Sequence, residues 1–259
     1  MPEPYDTHMT TGGRRSGATI AILPLGATEQ HGPHLPFETD AIIAEGVCRR
    51  AAALMPESVR VEFLPVERVG YSPEHLGFRG SLSLGYTEAI RRWIKIGEAA
   101  AERGIRKFVM LNAHGGNSPL MAIVATELRV RRNMLAVATS WTRFGFDQQL
   151  VSPREKALGI HGGLAETSVM LALRPELVDM AKARNFPSAQ SDFERHFRHL
   201  RAYGPHAFGW KMEDLSAEGV VGDAASATAD IGNRLLDDAA RGFAELLLDV
   251  DRFEAGMLA

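Results

Sequence analysis

The stretch KFVMLNAHGG, residues 107–116, decides the fold predicted for this chain. Its apolar run KFVML is typical of a strand that is buried on both faces of a sheet, and two glycines end the run in a turn. On either side, residues 86–104 and 118–132 repeat apolar side chains at helical spacing. A buried strand between two helices is typical of strand–helix–strand units, which build a mainly parallel sheet.

The same alternation continues along the rest of the chain and predicts an α/β fold. We expect a mainly parallel central sheet that is covered by helices on both faces. Further strands are predicted at 19–26, 59–70 and 134–141, and further helices at 39–55, 164–173 and 225–249.

The domain organisation predicted from the sequence is simple. Residues 1–17 are polar and are expected to form a flexible N-terminal tail, and residues 18–259 are expected to form a single domain. The irregular segment 183–218 is predicted to leave the sheet as a lid or as an oligomer contact. Within it, Phe208 and Trp210 are predicted to be packing residues.

Composition narrows the class of protein. The chain has 259 residues, of which 45% are hydrophobic and 24% charged, and this predicts an ordered globular protein. The net charge of −3 argues against a nucleic-acid partner. No window approaches 18 uncharged apolar residues, so no membrane partner is expected. The N-terminus lacks the apolar stretch of a signal peptide, and the single cysteine, Cys48, cannot form an internal disulfide, so a cytoplasmic location is expected.

Three polar segments lie where a parallel sheet binds its ligands, beyond the carboxyl ends of the strands. The first, GATEQHGPHLPFETD (26–40), holds Glu29, His31 and Asp40 in a loop that glycines and prolines stiffen. Carboxylates together with imidazoles are the ligands of Zn²⁺, Mn²⁺ or Fe²⁺. The alternative is an ordinary polar loop whose Thr39 or Asp40 caps the next helix.

The other two segments each add a histidine. In LNAHGGNSP (111–119), His114 follows the buried strand directly, and the alternative is a glycine turn with an incidental histidine. In IHGGLAE (160–166), His161 and Glu166 bracket two glycines, so that both side chains can face one cavity. Here the alternative is that Glu166 stabilises the helix N-terminus electrostatically.

Taken together, these segments can hold two divalent ions if Asp40 bridges them. Each ion then has three protein ligands and keeps open positions for water, whose pKa falls towards neutrality between two cations. His161 is left over and is placed to carry a proton to a leaving nitrogen. The two predicted ligand sets are Glu29, Asp40 and His114 for one ion, and His31, Asp40 and Glu166 for the other.

The chain resembles the creatininase (creatinine amidohydrolase) superfamily. The matching strings cover most of the chain in the family's order, and they are LGATEQHGPHLPFETD (25–40), SPEHLGFRGSLSL (72–84), NAHGGN (112–117), HGGLAETS (161–168) and GVVGDAASAT (219–228). The resemblance implies a three-layer α/β/α sandwich, a centre of two divalent ions (Zn²⁺, Mn²⁺ or Fe²⁺), and assembly into homohexamers.

The resemblance also implies an activity and the residues that carry it. The activity is hydrolysis of a non-peptide C–N bond, in a cyclic amide or a formamide, by a metal-activated water. Glu29, His31, Asp40, His114 and Glu166 match the family's metal ligands, and His161 matches its proton-shuttling histidine. Glu74 and His75 match a Glu-His pair near the site entrance, where we expect them to support catalysis.

Two departures from the family pattern argue against creatinine as the substrate. Gly116 stands where creatininase has a glutamate ligand, and residues 151–160 lack the tryptophan that walls the creatinine ring. Trp141, Phe144 or Phe146 are candidates to replace that wall. The substrate is therefore predicted only as a small-molecule amide.

Three alternatives remain open at this point. One is a peptide-trimming enzyme of the kind that matures mycofactocin, a branch that shares the His-Gly-Gly-Asn form. Another is a metal-binding protein that has lost catalysis, although the presence of His161 argues against it. The third, a sugar- or nucleotide-binding module, lacks a Gly-rich phosphate-binding signature.

Overall fold

The structure, a computed structural model, describes residues 9–11 and 18–258. Most of the predicted N-terminal tail, residues 1–8 and 12–17, lies outside these ranges. Within the predicted tail, Met9–Thr11 instead forms a short strand, β1, which pairs antiparallel with residues 61–63 at the edge of the main sheet. Backbone hydrogen bonds to a neighbouring strand hold these three residues. The sequence did not predict this strand, because these residues show no apolar side-chain pattern.

The central sheet is mainly parallel, as the sequence predicts. Its strand order is β1-β3-β2-β4-β5, and every pair apart from the β1–β3 pair is parallel. The four parallel strands are β2 (Ile20–Leu25), β3 (Val61–Phe63), β4 (Lys107–Asn112) and β5 (Leu135–Ser140).

Helices follow the strands in the predicted alternation. Each helix within residues 18–258 is too short or too polar to cross a membrane. The helices are α1 (Thr39–Leu54), α2 (Tyr86–Glu102), α3 (Ser118–Arg132), α4 (Pro153–Leu158), α5 (Leu164–Leu173), α6 (Gln190–His196), α7 (Met212–Leu215) and α8 (Ala229–Arg252).

The sheet is the middle layer of a three-layer sandwich, which confirms the predicted fold class. Successive side chains of a strand point to opposite faces, so Ile20 and Ile22 of β2 pack against α1, α5 and α8. Ala21 and Leu23, from the same strand, pack against α2 and α3 on the other face. Because both faces of β2 and β4 are buried, these strands read as continuous apolar runs.

One predicted strand, 59–70, is much shorter in the structure. It ends at Phe63, because Pro65 has no backbone N–H to donate to the ladder. The chain then returns to the strand β2 at Glu67, whose N–H donates to the carbonyl oxygen of Pro24 over 3.0 Å. The return brings residues 71–75 to the carboxyl end of the sheet.

The segment 183–218 leaves the sheet, as predicted, and has a small apolar core of its own. Ala202, Met212 and Leu215 are buried there together with Val221. A two-residue strand, β6 (Asn185–Phe186), pairs antiparallel with β7 (Gly222–Asp223) and ties the segment to the loop before α8.

The contact between α5 and α8 requires a glycine at position 232. A Cβ added to Gly232 would lie 1.8 Å from the carbonyl oxygen of Ser168, so the two helices would have to separate. We expect Gly232→Ala to lower the free energy of unfolding by roughly 1–3 kcal/mol. Gly209→Ala is the control, because a Cβ there meets no atom within 4 Å. Urea unfolding of both variants measures the difference, and equal stabilities would contradict this account of the helix contact.

Candidate metal centre

The five predicted metal ligands meet at the carboxyl end of the sheet. Leu25 of β2 pairs with Asn112 of β4, so the loops that follow these two strands start at the same level. The helices α1 and α5 begin beside those loops. Glu29 and His31 follow β2, Asp40 lies in the first turn of α1, His114 follows β4, and Glu166 lies in the first turn of α5.

One group of three side chains converges around His114. Its Nδ1 lies 3.1 Å from Oε1 of Glu29 and 3.6 Å from Oδ2 of Asp40. The three groups offer ligand atoms that all lie within 4.8 Å of one another. This is one of the two sets that the sequence predicts.

A second group of three converges around His31. Its Nε2 lies 3.3 Å from Oδ1 of Asp40 and 3.8 Å from Oε2 of Glu166, and these three groups also lie within 4.8 Å of one another. Asp40 therefore takes part in both groups with a different oxygen in each. A further set, in which His161 joins Glu29 and His31, meets the same distance limit.

Backbone carbonyls fix the tautomers of the two histidines. Nδ1 of His31 donates to the carbonyl oxygen of Glu29 over 3.0 Å, and Nε2 of His114 donates to that of Tyr71 over 3.0 Å. A carbonyl oxygen only accepts, so each ring carries its hydrogen there. The other nitrogen of each ring faces the carboxylates, where it holds a second proton or, without that proton, binds a metal ion, and this is the arrangement typical of metal-binding histidines.

Several polar atoms at the centre of the site lack a hydrogen-bond partner among the described residues. They include Oε1 of Glu29, Nε2 of His31 and Oδ2 of Asp40, all buried. A buried polar atom without a partner costs free energy, whereas divalent cations held by the two groups of three would satisfy these atoms. The donor set is therefore a good fit for such a cation.

The pKa shifts of the ionisable groups at the site also favour a bound cation. Burial raises the pKa of Asp40, and it raises that of Glu166 to about 7. Burial works against protonation of His31 and His114, but the facing carboxylates outweigh it and raise their pKa values to about 9 and about 10. Burial also opposes ionisation of Glu29, yet His114 holds the pKa of that carboxyl well below its usual range. The carboxylates thus favour positive charge between them, which protons or metal ions supply.

His161 lies beside this cluster. Its Nε2 donates to the carbonyl oxygen of Gln30 over 2.7 Å, and its Nδ1 lies 3.5 Å from Oε1 of Glu29. Burial, together with the nearby rings of His31 and His75, holds the pKa of His161 well below its usual range. The ring is therefore neutral at pH 7, with the Nδ1 lone pair directed towards the cluster.

Glu74 and His75 lie at the edge of the same site, on a short 3-10 helix, Pro73–His75. Nε2 of His75 is 3.5 Å from Oε1 of Glu29, and burial lowers the pKa of His75 to about 4. Oε1 of Glu74 is 3.5 Å from Nε2 of His114. Both side chains line a cavity above the cluster.

The packing around Glu74 explains why position 116 is a glycine. A Cβ on Gly116 would lie 2.5 Å from both Nε2 of His114 and the carbonyl oxygen of Tyr71, and 2.6 Å from Oε1 of Glu74. The space that a side chain at this position would need is taken by Glu74 and the His114 ring.

Some residues that support the site carried no signal in the sequence. Ser72 donates its hydroxyl to Oε2 of Glu29, although 43 residues separate them. Glu155 accepts hydrogen bonds from the N–H of Leu164 over 2.9 Å and of Asp223 over 3.1 Å, and it so holds the loop that carries His161. These contacts join residues that are distant in the sequence, and a serine or glutamate by itself does not predict them.

The aromatic residues do not all lie where the sequence suggests. Phe146 packs on Trp141, and Phe144 packs on Phe243, so neither phenylalanine walls the cluster. Trp141 lines a cavity of about 230 Å³ beside His114 and Glu166. Phe208 and Trp210, predicted only to pack, line a second cavity of about 480 Å³ above Glu29 and His161.

Comparison with known proteins identifies close relatives. Residues 7–247 match the family described as creatininase, creatinine amidohydrolase. The chain is 33% identical over 237 residues to the mycofactocin precursor peptide peptidase of Mycobacterium ulcerans (strain Agy99), which covers 88% of this chain and 81% of the relative. It is 27% identical over 249 residues to the creatinine amidohydrolase of Pseudomonas putida, 90% of each chain. A solved structure of creatininase with Mn superposes with a TM-score of 0.73 at 26% identity, covering 92% of this chain and 93% of that one.

The paired ligand groups predict a stoichiometry. We expect protein purified without chelator to carry about two divalent ions per chain, and Glu166→Gln to carry about one, because only the His31 group loses a carboxylate. Elemental analysis measures both. Glu176→Gln, which changes an exposed glutamate nearby, serves as the control and should keep the wild-type content. Absence of bound ions from the wild type after metal supplementation would contradict the prediction.

Proposed function

Because the chain belongs to the creatininase family, as its motifs predict, we propose that it is a hydrolase that uses two divalent metal ions to cleave an amide C–N bond. The observation that carries the proposal is the convergence of unpartnered, buried donor atoms from Glu29, His31 and Asp40. Relatives named as an amidohydrolase and as peptidases act on the same type of bond, which supports the assignment.

The ligand sets follow from the two groups of three. We assign Glu29, Asp40 and His114 to one ion and His31, Asp40 and Glu166 to the other, with Asp40 shared. Nitrogen and carboxylate donors of this kind accept Zn²⁺, Mn²⁺ or Fe²⁺. Bound there, the ions supply positive charge that lowers the pKa of water and polarises a carbonyl oxygen.

The chain's own proton carrier in this proposal is His161. Its Nε2 hydrogen is already donated to the carbonyl oxygen of Gln30, so Nδ1 is the atom that can take up a proton. Once protonated, the ring lies between the Gln30 carbonyl and the Glu29 carboxylate, and both stabilise its positive charge. A proton held at Nδ1 can then pass to the nitrogen that leaves the substrate.

Glu29 and the two residues at the edge of the site have supporting roles in the proposal. The lowered pKa of Glu29 keeps its carboxylate ionised, as a ligand and as a partner for protonated His161. Glu74 and His75 border the cavity beside the cluster, where a substrate would contact them. His75, neutral because burial lowers its pKa, adds no charge that would compete with an ion.

The substrate class remains a choice between two candidates. A small-molecule amide, either cyclic or an N-formyl compound, is the first, and the similarity to a creatinine amidohydrolase supports it. A peptide is the second, and the 33% identity to a mycofactocin precursor peptide peptidase favours it. Assembly into a homohexamer is part of the proposal, and a cytoplasmic location stays a prediction from the sequence.

The proton-carrying role of His161 predicts a defined loss. We expect His161→Ala to lower kcat by about 10²–10⁴-fold while metal content stays at the wild-type level, because the ring moves a proton and is not required by either ligand set. His199→Ala, an exposed histidine, is the control and should keep full activity. Loss of an ion together with activity would instead make His161 a ligand.

A panel of amides tests the function itself. Cyclic amides, formamides and short peptides are incubated with the metal-loaded protein and with chelator-treated protein, and amine release is measured. Hydrolysis that disappears with chelator and returns with Zn²⁺ or Mn²⁺ is the expected result. A protein with two bound ions that hydrolyses none of these classes would leave only the metal-binding alternative.

A further inference from the structure

The segment 201–210 forms a fixed wall over one side of the metal centre. Oε1 of Gln190 accepts a hydrogen bond from the N–H of Ala202 over 2.9 Å, and the Tyr203 hydroxyl donates to the carbonyl oxygen of Ala157 over 2.6 Å. The Phe208 ring meets the Phe193 ring edge-on, with centroids 5.4 Å apart. The wall is therefore held from the helices α4 and α6 on both sides.

The cavity under this wall is large and mostly apolar. It measures about 480 Å³, its floor holds Glu29, His75 and His161, and its wall holds Phe208 and Trp210. A volume in this range accommodates a sizeable organic group, and a formyl or methyl group would leave most of it to water. The residues of the segment 201–210 that line the cavity carry no charge of either sign, so this side of the cavity suits a neutral group.

A second, smaller cavity also borders the centre and shares His114 with the first. It measures about 230 Å³, touches His114 and Glu166, and is lined by polar groups that include Ser118, Ser140 and Arg143. His161 lines only the larger cavity. The two cavities therefore differ in size, in polarity and in access to the proton carrier.

These differences assign a direction to the substrate. On the proposed function, His161 delivers a proton to the departing nitrogen, so the amine half of the amide has to lie on the His161 side. We propose that this amine half carries an aromatic or similarly large apolar group, which packs against Phe208 and Trp210. The inference rests on the proposed function for its direction, and on the cavity for its chemistry.

The reaction balances with water as the only co-reactant. A water oxygen bonds to the acyl carbon, the C–N bond breaks, and the bonding pair stays on nitrogen. One water proton passes through Nδ1 of His161 to that nitrogen. The products are a carboxylic acid on the polar side and an amine with an aromatic group against the wall.

A pair of isomers isolates the direction. N-benzylacetamide has its phenyl group on the amine half, and N-methyl-2-phenylacetamide has the same atoms with the phenyl group on the acyl half. We expect kcat/KM to be roughly tenfold or more higher for N-benzylacetamide, since ring packing and burial act on one isomer only. Trp210→Ala should bring the ratio close to one, and Trp210→Phe should retain most of it.

A control variant just before this segment separates the loss of wall packing from a general loss of structure. Phe197 is 47% exposed and lies outside the cavity, so Phe197→Ala should leave the isomer ratio unchanged. Metal content should be equal in all three variants. A ratio that stays at the wild-type value in an active Trp210→Ala, or a preference for the acyl-side isomer, would overturn the proposal.

A binding measurement does not depend on turnover. Trp93 and Trp141 are buried, whereas Trp210 is partly exposed. An aromatic ring that packs on Trp210 should therefore quench the fluorescence of Trp210. Titration of metal-loaded His161→Ala should give roughly tenfold tighter binding of N-benzylacetamide than of its isomer. Tight, selective binding with no hydrolysis by the wild type would support the contact with the wall and contradict the proposed function. Hydrolysis of both isomers without selectivity would support the proposed function and contradict the contact with the wall.

Discussion

The mutual compensation of charge between buried carboxylates and histidines is the constraint on which this structure depends. Glu29 and Asp40 are almost fully inaccessible to solvent, and burying an ionised carboxylate is costly unless opposite charge lies beside it. His31 and His114 provide that charge when protonated, or yield it to metal ions. The loops that carry the two carboxylates and the two histidines therefore adopt a geometry in which these four side chains stay in contact.

The parallel sheet makes that geometry possible. β2 and β4 are adjacent and in register, so the loops that carry Glu29 and His114 leave the sheet at one level. The short strand β3 ends early and lets the chain return at Glu67, which brings the Tyr71 carbonyl to the His114 ring. The centre is built mainly from loop residues, but strand and helix ends fix where those loops begin.

The sequence predicts the fold and the grouping of ligands for the same physical reason, since both depend on local patterns. The run at 107–111 is typical of a strand buried on two faces, and Asp40 lies at the start of a helix. The supporting carbonyls of Gln30 and Tyr71 could not be predicted, because a backbone carbonyl has no residue signature. The position of the wall at 201–210 could not be predicted for a related reason. It depends on long-range contacts such as that of Tyr203 with Ala157.

The two parts of the site are held largely by different contacts, and this has a consequence for specificity. They share the helix α4, which holds the loop of His161 through Glu155 and the wall through Ala157. The metal ligands are fixed by the sheet, by α1 and by α5, whereas the wall is fixed by Gln190, Phe193 and the end of α4. A change of the Phe208 or Trp210 side chain can therefore alter the shape of the large cavity without replacing a contact between the predicted ligands. On the proposed function, the same centre could then act on amides of different size, with the centre setting the reaction and the segment 201–210 setting the substrate.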